Sequence, residues 1–182
     1  MVSIAGIKTD LLPVDEADAA DMVALRNDPA NNRFLYQEPL TVENQLAWIR
    51  KNKDREDAYN FKVVNKEGQF KGTISVYNIR DGAGEFGRYI VINPIHAIEA
   101  EYLLIKLCFE NLGFKKVYCQ TNMENKNVWN QHLKLGFKTT EIKEVPVGSG
   151  MNTIVAANIQ EITREEFEAF DYSKILRLIN QF

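Results

Sequence analysis

His96 and His132 are the only two histidines in the 182-residue sequence, so proton chemistry near neutral pH is sought first around them. That count excludes any site built from several histidines. His96 and Glu99 share a helical spacing, but no third ligand lies nearby in sequence, and Cys108 and Cys119 do not form a CxxC pair, so no metal is expected. Neither histidine sits in the nucleophile context of a serine-type triad. One literal GxGxxG occurs, at Gly82, Gly84 and Gly87. A dinucleotide loop needs that motif between a strand and a helix, whereas here it lies between two strand-like segments and reads as a hairpin turn.

These residues need a scaffold, and the composition allows one. With 45% hydrophobic and 26% charged residues, the chain reads as a single domain, 1–182, able to bury its own core. Its apolar stretches fall short of a bilayer span. The opening MVSIAGIKTDLLPVDE lacks a basic region ahead of a long apolar run, and two cysteines fit a reducing compartment, so a cytoplasmic location is expected. Lys and Arg are scattered and the net charge is -3, which sets the expectation of neither a nucleic-acid nor a membrane partner.

The hydrophobic pattern gives the order of elements. GIKTDLLPV reads as a strand, DEADAADMVALRND as a helix ended by Pro29, and TVENQLAWIRKNK as a helix capped by Thr41. AYNFKVVN, FKGTISVYNI and EFGRYIVIN, joined by short turns, form an antiparallel meander. A helix from Ala97 to Leu112 ends at Gly113, KKVYCQTN follows as a strand, and NKNVWNQHLKLG is a helix with Asn125 as its cap. FKTTEIKEVPV and NTIVAANIQEI pair around Gly148-Ser149-Gly150, and the segment 160–182 is a C-terminal helical extension. The result is an α/β (α+β) domain with a mixed sheet and a parallel crossover in its second half.

EFGRYIVINP, the helix after it, ENLGFKKVYCQTN and NKNVWNQHLKLGF together resemble the GNAT (Gcn5-related N-acetyltransferase) superfamily, from about Leu11 to Lys138. The resemblance implies a central, mostly antiparallel sheet flanked by helices, with acetyl-CoA as co-substrate. It implies that the backbone of Ile90, Val91 and Ile92 pairs with the pantetheine arm, as a ligand adding to a strand edge. The family's phosphate loop falls on His96, Ala97, Ile98, Glu99, Ala100 and Glu101, with glutamates where small residues are expected. Either Ala97 and Ala100 serve as the small residues in a shifted loop, or coenzyme binding is weakened. Asn125 lies at the end of the next strand, on the coenzyme side. His132 falls where most relatives keep a proton-donating tyrosine; it is read either as the acid for the leaving thiolate or as a hydrogen-bonded core histidine. Glu85 is read either as the base for the acceptor ammonium or as an exposed acid after a glycine turn.

The segment LRNDPANNRFLYQEPLTVENQLAWI resembles the nucleotide-amino-sugar N-acetyltransferase family of pseudaminic-acid biosynthesis. That likeness assigns the acceptor side to Arg26, Asn27, Tyr36 and Gln45, with a histidine in the family where Gln45 stands. Arg26 and Arg33 can meet a diphosphate, and Tyr36 or Trp48 can stack on a base or sugar. The expected partner is a small-molecule amine acceptor, a nucleotide-linked sugar, in a chain that can form a homodimer. The rival readings are an acetyltransferase for a protein N-terminus or small-molecule amine, and a GNAT-shaped binding module without catalysis.

Overall fold

The computed structural model describes residues 2–148 and 153–181. β1 (Ile4–Ala5) and β2 (Thr9–Pro13) lead through a 3₁₀ turn at Glu16–Asp18 into α1 (Ala19–Asn27). Asp15 caps this entry reciprocally with Asp18, satisfying amides that the first turn leaves free. Asp28 then caps the short α2 (Pro29–Asn32), so Pro29 starts a new turn where α1 stops. α3 (Val42–Asn52) begins at Thr41, whose hydroxyl accepts from Asn44 N–H as expected.

β3 (Ala58–Asn65), β4 (Phe70–Arg80) and β5 (Ala83–Val91) form the predicted antiparallel meander. Asp81 and Gly82 both have positive φ, 53° and 76°, the backbone of a tight hairpin turn. The GxGxxG glycines therefore build a turn and a strand. α4 (Pro94–Lys106) runs on through a π-helical turn at Leu107–Asn111 into β6 (Lys116–Asn122), α5 (Lys126–Lys134), β7 (Lys138–Val147) and β8 (Thr153–Thr163). The predicted Gly148-Ser149-Gly150 turn lies partly outside the described residues. The eight strands form one sheet in the order β1-β2-β3-β4-β5-β6-β8-β7, antiparallel except where β5 meets β6.

The C-terminal segment differs from the single helix expected over 160–182. β8 continues to Thr163, and two short helices follow, α6 (Arg164–Ala169) and α7 (Ser173–Gln181). Asp171 accepts from Ser173 N–H at 3.0 Å, a start signal that separates them. Ile175 and Ile179 of α7 and Phe167 of α6 are buried in the main core with Leu104, Ile105 and Phe109.

Alternation along β4 assigns the two faces of the sheet. Ile74 and Val76 join α4 in the main core. Thr73 and Ser75 turn the other way, toward a cavity under α1 and α3. No helix among the described residues is long and apolar enough to cross a membrane.

Candidate active site

β5 and β6 run together for three aligned pairs, Ala83–Lys116, Gly84–Val117 and Glu85–Tyr118, and then part. Beyond them β5 stays with β4 as far as Gly72–Val91, and β6 stays with β8 as far as Asn122–Ala157. A V-shaped opening results, with Glu85 at its apex. A cavity of about 140 Å³ lies here, lined by Phe86, Arg88, Tyr89, Thr121, Asn125 and His132 among others.

A bulge in β5 decides which side chains reach this opening. Arg88 has φ 49°, the β4–β5 register shifts between the Thr73 and Ser75 pairs, and Thr73 Oγ1 donates to Arg88 O at 3.1 Å. The extra residue reverses the in–out alternation. Phe86 and Tyr89 consequently both turn toward His132, with ring centroids 5.1 and 6.2 Å away. Arg88 turns to the other face, over the rings of Tyr77 at 4.2 Å and Trp48 at 5.1 Å.

The strand edge corrects part of the expected backbone contacts. Ile92 donates its N–H to Lys71 O at 2.8 Å, so it is a hydrogen-bonded position of the β4–β5 ladder. Antiparallel alternation turns Ile90 toward β4 as well and leaves the N–H and C=O of Val91 pointing into the opening. Of Ile90, Val91 and Ile92, Val91 is the residue whose backbone is free to pair.

His132 is neither of the two simple alternatives. Its side chain is buried, as a core histidine would be, yet it lines the opening. Its Nδ1 lies 2.6 Å from Glu101 Oε1. Glu101 Oε2 accepts from Gln131 Nε2 at 2.7 Å, and the same amide donates to Tyr89 Oη at 2.5 Å. Tyr89 passes the chain on by donating to Ala97 O at 2.9 Å. Burial, then the nearby Glu101 carboxylate, push the Tyr89 hydroxyl well above its usual range, so it stays a donor. The Glu101 contact at Nδ1 holds the ring in one orientation and leaves Nε2 as the ring nitrogen not engaged by Glu101.

The predicted phosphate loop does not form. Only Ile92 and Asn93 separate β5 from α4, and His96, Ala97, Ile98, Glu99, Ala100 and Glu101 are all helical. Ala97, Ile98 and Ala100 are buried against the sheet. Glu99 turns away from any phosphate and accepts from Ile7 N–H at 2.5 Å and Lys8 N–H at 3.0 Å, holding the β1–β2 connection. The repulsion that two loop glutamates would impose on a pyrophosphate therefore does not arise. At the helix start, Pro94 has no N–H, Asn93 Oδ1 takes that of Ile95 at 2.9 Å, and Asn93 O takes that of Ala97 at 3.0 Å. The His96 N–H remains for an anion. Its ring Nδ1 sits 2.8 Å from Thr9 Oγ1, and burial, then Lys71, lower its pKa from the ordinary histidine value.

Glu85 is held by Tyr77 Oη at 3.0 Å and Asn78 Nδ2 at 2.9 Å. Asn125 lines the opening but does not cap α5 with its side chain. The acceptor candidates divide. Arg26 and Gln45 line a cavity of about 260 Å³ with Gln37, Asn60, Ser75 and Arg88. Asn27 instead pins the loop before α3, donating to Leu40 O at 2.8 Å and accepting from Leu40 N–H at 2.9 Å. Tyr36 accepts from Asn122 Nδ2 at 2.7 Å, tying that loop to β6. Arg33 is exposed and lies 3.8 Å from Glu124. Sequence reasoning missed Arg88, Gln37 and Gln131, and read Glu101 as a liability when it is the partner of His132. Burial pushes both cysteine thiols upward, leaving them as packing groups. Among the described residues no cluster of His, Cys, Asp and Glu is arranged to hold a metal ion.

The sheet thus splits between its two parallel strands, with the buried His132 lining the split. Residues 9–138 match the model of the acetyltransferase (GNAT) domain, and the chain belongs to that family. It is an acetyltransferase whose fold uses acetyl-CoA. The structure is similar to that of FdhC, a nucleotide-linked sugar GNAT, with TM-score 0.75 at 20% identity over 98% of this chain and 97% of that one. It is also similar to spermidine N-acetyltransferase from Vibrio cholerae, solved with CoA and spermine, with TM-score 0.77 at 16% identity over 90% of this chain and 99% of that one. A probable GNAT acetyltransferase from Chromobacterium violaceum gives TM-score 0.78 at 20% identity, covering 92% and 88% of the two chains. No curated protein sequence matches the chain.

Proposed function

We propose that this protein transfers acetyl from acetyl-CoA to the primary amine of a nucleotide-linked amino sugar, by direct attack and without a covalent enzyme intermediate. The observation that carries the reading is the buried Glu101–His132 pair at 2.6 Å, whose histidine lines the opening between β5 and β6. Val91 offers its free backbone groups to the pantetheine arm, and the His96 N–H with its ring is what remains for the pyrophosphate. Most of the rate comes from aligning a neutral amine with the thioester carbonyl. A backbone N–H on the open edge of β5 stabilises the developing oxyanion. Glu85, or a water it holds, takes the proton from the ammonium. His132 Nε2 delivers a proton to the departing thiolate, with Glu101 fixing the ring.

Arg88 lines both the opening and the cavity under α1 and α3, which supports an acceptor entering from that cavity with its amine toward the thioester. The capped helix start at Asn93–Pro94, which leaves few amides for a pyrophosphate, favours a second reading, a GNAT-fold binding module without catalysis. Release of free thiol from acetyl-CoA in the presence of UDP-linked amino sugars, peptides or polyamines separates the two. Amine-dependent release with the sugars supports the first reading; thermal stabilisation by acetyl-CoA with no release for any amine supports the second.

A further inference from the structure

We infer that Arg26 and Arg88 form an anion-binding site in the cavity under α1 and α3, selecting acceptors that carry a phosphate or carboxylate and rejecting polycationic amines. The inference rests on the acetyltransferase reading for its role and on this cavity alone for its chemistry. Both arginines line one cavity of about 260 Å³, and neither takes part in any ion pair among the described residues. Their hydrogen bonds go to neutral amide oxygens: Arg26 Nη2 to Gln37 Oε1 at 2.5 Å, and Arg88 Nη1 to Asn60 Oδ1 at 2.9 Å. The carboxylates of Glu85 and Asp57 act on Arg88 only through space and make their contacts elsewhere. Asp57 holds Arg55 at 2.5 Å, and Glu85 is held by Tyr77 and Asn78.

A third polar group in the same wall is unsatisfied. Gln37 Nε2 is buried with no hydrogen-bond partner, and Gln37 lines this cavity. A buried donor without an acceptor is costly, as is a largely desolvated cation such as Arg26 with only a second cation beside it. Desolvation first, and Arg88 second, bring the Arg26 pKa down from the usual arginine value. One anion resting among Arg26, Arg88 and Gln37 supplies the missing acceptor to Gln37 Nε2 and the missing counter-charge to Arg26. Arginine forks suit the oxygens of phosphate and carboxylate, and the same pair repels a polyamine. The rings of Trp48 and Tyr77, 5.1 and 4.2 Å from its guanidinium carbon, fix the place of Arg88 in this wall.

The test is calorimetric titration of the full chain, saturated with CoA so that the coenzyme's own phosphates are accounted for. UDP, pyrophosphate, malonate and uridine serve as probes. Binding of UDP and pyrophosphate, or of malonate, at least tenfold tighter than uridine supports the site and tells phosphate from carboxylate; equal binding of uridine, or none of any anion, overturns it. Arg26→Gln is expected to weaken anion binding at least tenfold while its melting temperature without ligand stays level or rises, since an unpaired charge is removed. Undiminished anion binding in that variant overturns the assignment. Acetyl-CoA stabilisation of the wild type without anion binding leaves the acetyltransferase reading standing and removes only the arginine site.

Discussion

Glu101 and His132 lie 31 residues apart in sequence, yet a carboxylate oxygen of one sits 2.6 Å from the ring nitrogen of the other, in a side-chain pair only 0% and 2% exposed. α4 and α5 are brought together here, with Gln131 of α5 donating to the second Glu101 oxygen at 2.7 Å, at the edge of the opening where the sheet splits. This pairing predicts separable effects on chemistry and stability. Glu101 is a positioning residue: Glu101→Gln is expected to lower kcat by about tenfold to a hundredfold and leave acetyl-CoA affinity within about threefold, because ring orientation is disturbed and the groove is not. Steady-state kinetics with a separate coenzyme titration checks the split. His132→Ala strands Glu101 with Gln131 alone and is expected to cost about 3–5 kcal/mol in chemical denaturation.

Glu99 is predicted to stabilise the fold, not to weaken coenzyme binding. Its carboxylate serves the amides of Ile7 and Lys8, so Glu99→Gly removes those acceptors and adds a helix-interior glycine. A loss of about 2–4 kcal/mol is expected, measured as a lower denaturation midpoint, with no tightening of acetyl-CoA. The opposite result, tighter coenzyme and unchanged stability, would mean that Glu99 faces the phosphates.

Gly72 has φ 151° and lies so close to β5 that a Cβ there would stand 2.1 Å from Ile90 O. Gly72→Ala must push the two strands apart at the pair facing Val91. The expected result is both a lower melting temperature and a weaker acetyl-CoA shift, since the edge that would receive the pantetheine arm moves. Thermal melts with and without coenzyme read both effects together.

His96 gives a pH dependence whose sign follows from its surroundings. Burial and Lys71 disfavour the imidazolium, against weaker help from Glu99 and Glu67. The unfolded chain therefore binds a proton more readily, and stability is lost as pH falls from about 6.5 through the lower folded value. His96→Gln is expected to flatten this part of the stability–pH curve, measured by urea denaturation at intervals between about pH 7 and pH 5.

Most of the scaffold is written in local patterns. The meander follows from three alternating runs with glycine turns, and the α3 start follows from Thr41. The helix after β5 was readable too: Ala97, Ala100, Leu104 and Cys108 are buried along one stripe, and Asn93-Pro94 is a cap followed by a first-turn proline. A family template laid over the same residues hid this by placing a loop where the period is already helical. The Asp171 cap that divides the C-terminal helix was likewise visible and outweighed by the apolar period on either side. The site itself was legible only in pieces. His132 and Glu85 could be singled out, but the partner of His132 is fixed by packing between two helices. The position of Arg88 depends on a single-residue bulge that reverses the strand's faces. Asn27 and Tyr36 have the types of ligand-binding residues, and only their contacts with Leu40 and Asn122 reveal them as braces.

The most direct measurement is the initial rate of thiol release from acetyl-CoA with a UDP-linked amino sugar, compared between wild type and His132→Ala at equal coenzyme saturation. Acetyl transfer assisted by His132 predicts amine-dependent release that falls about 10²- to 10⁴-fold in the variant. Release that is unchanged by His132→Ala, or that does not depend on the amine, would contradict it.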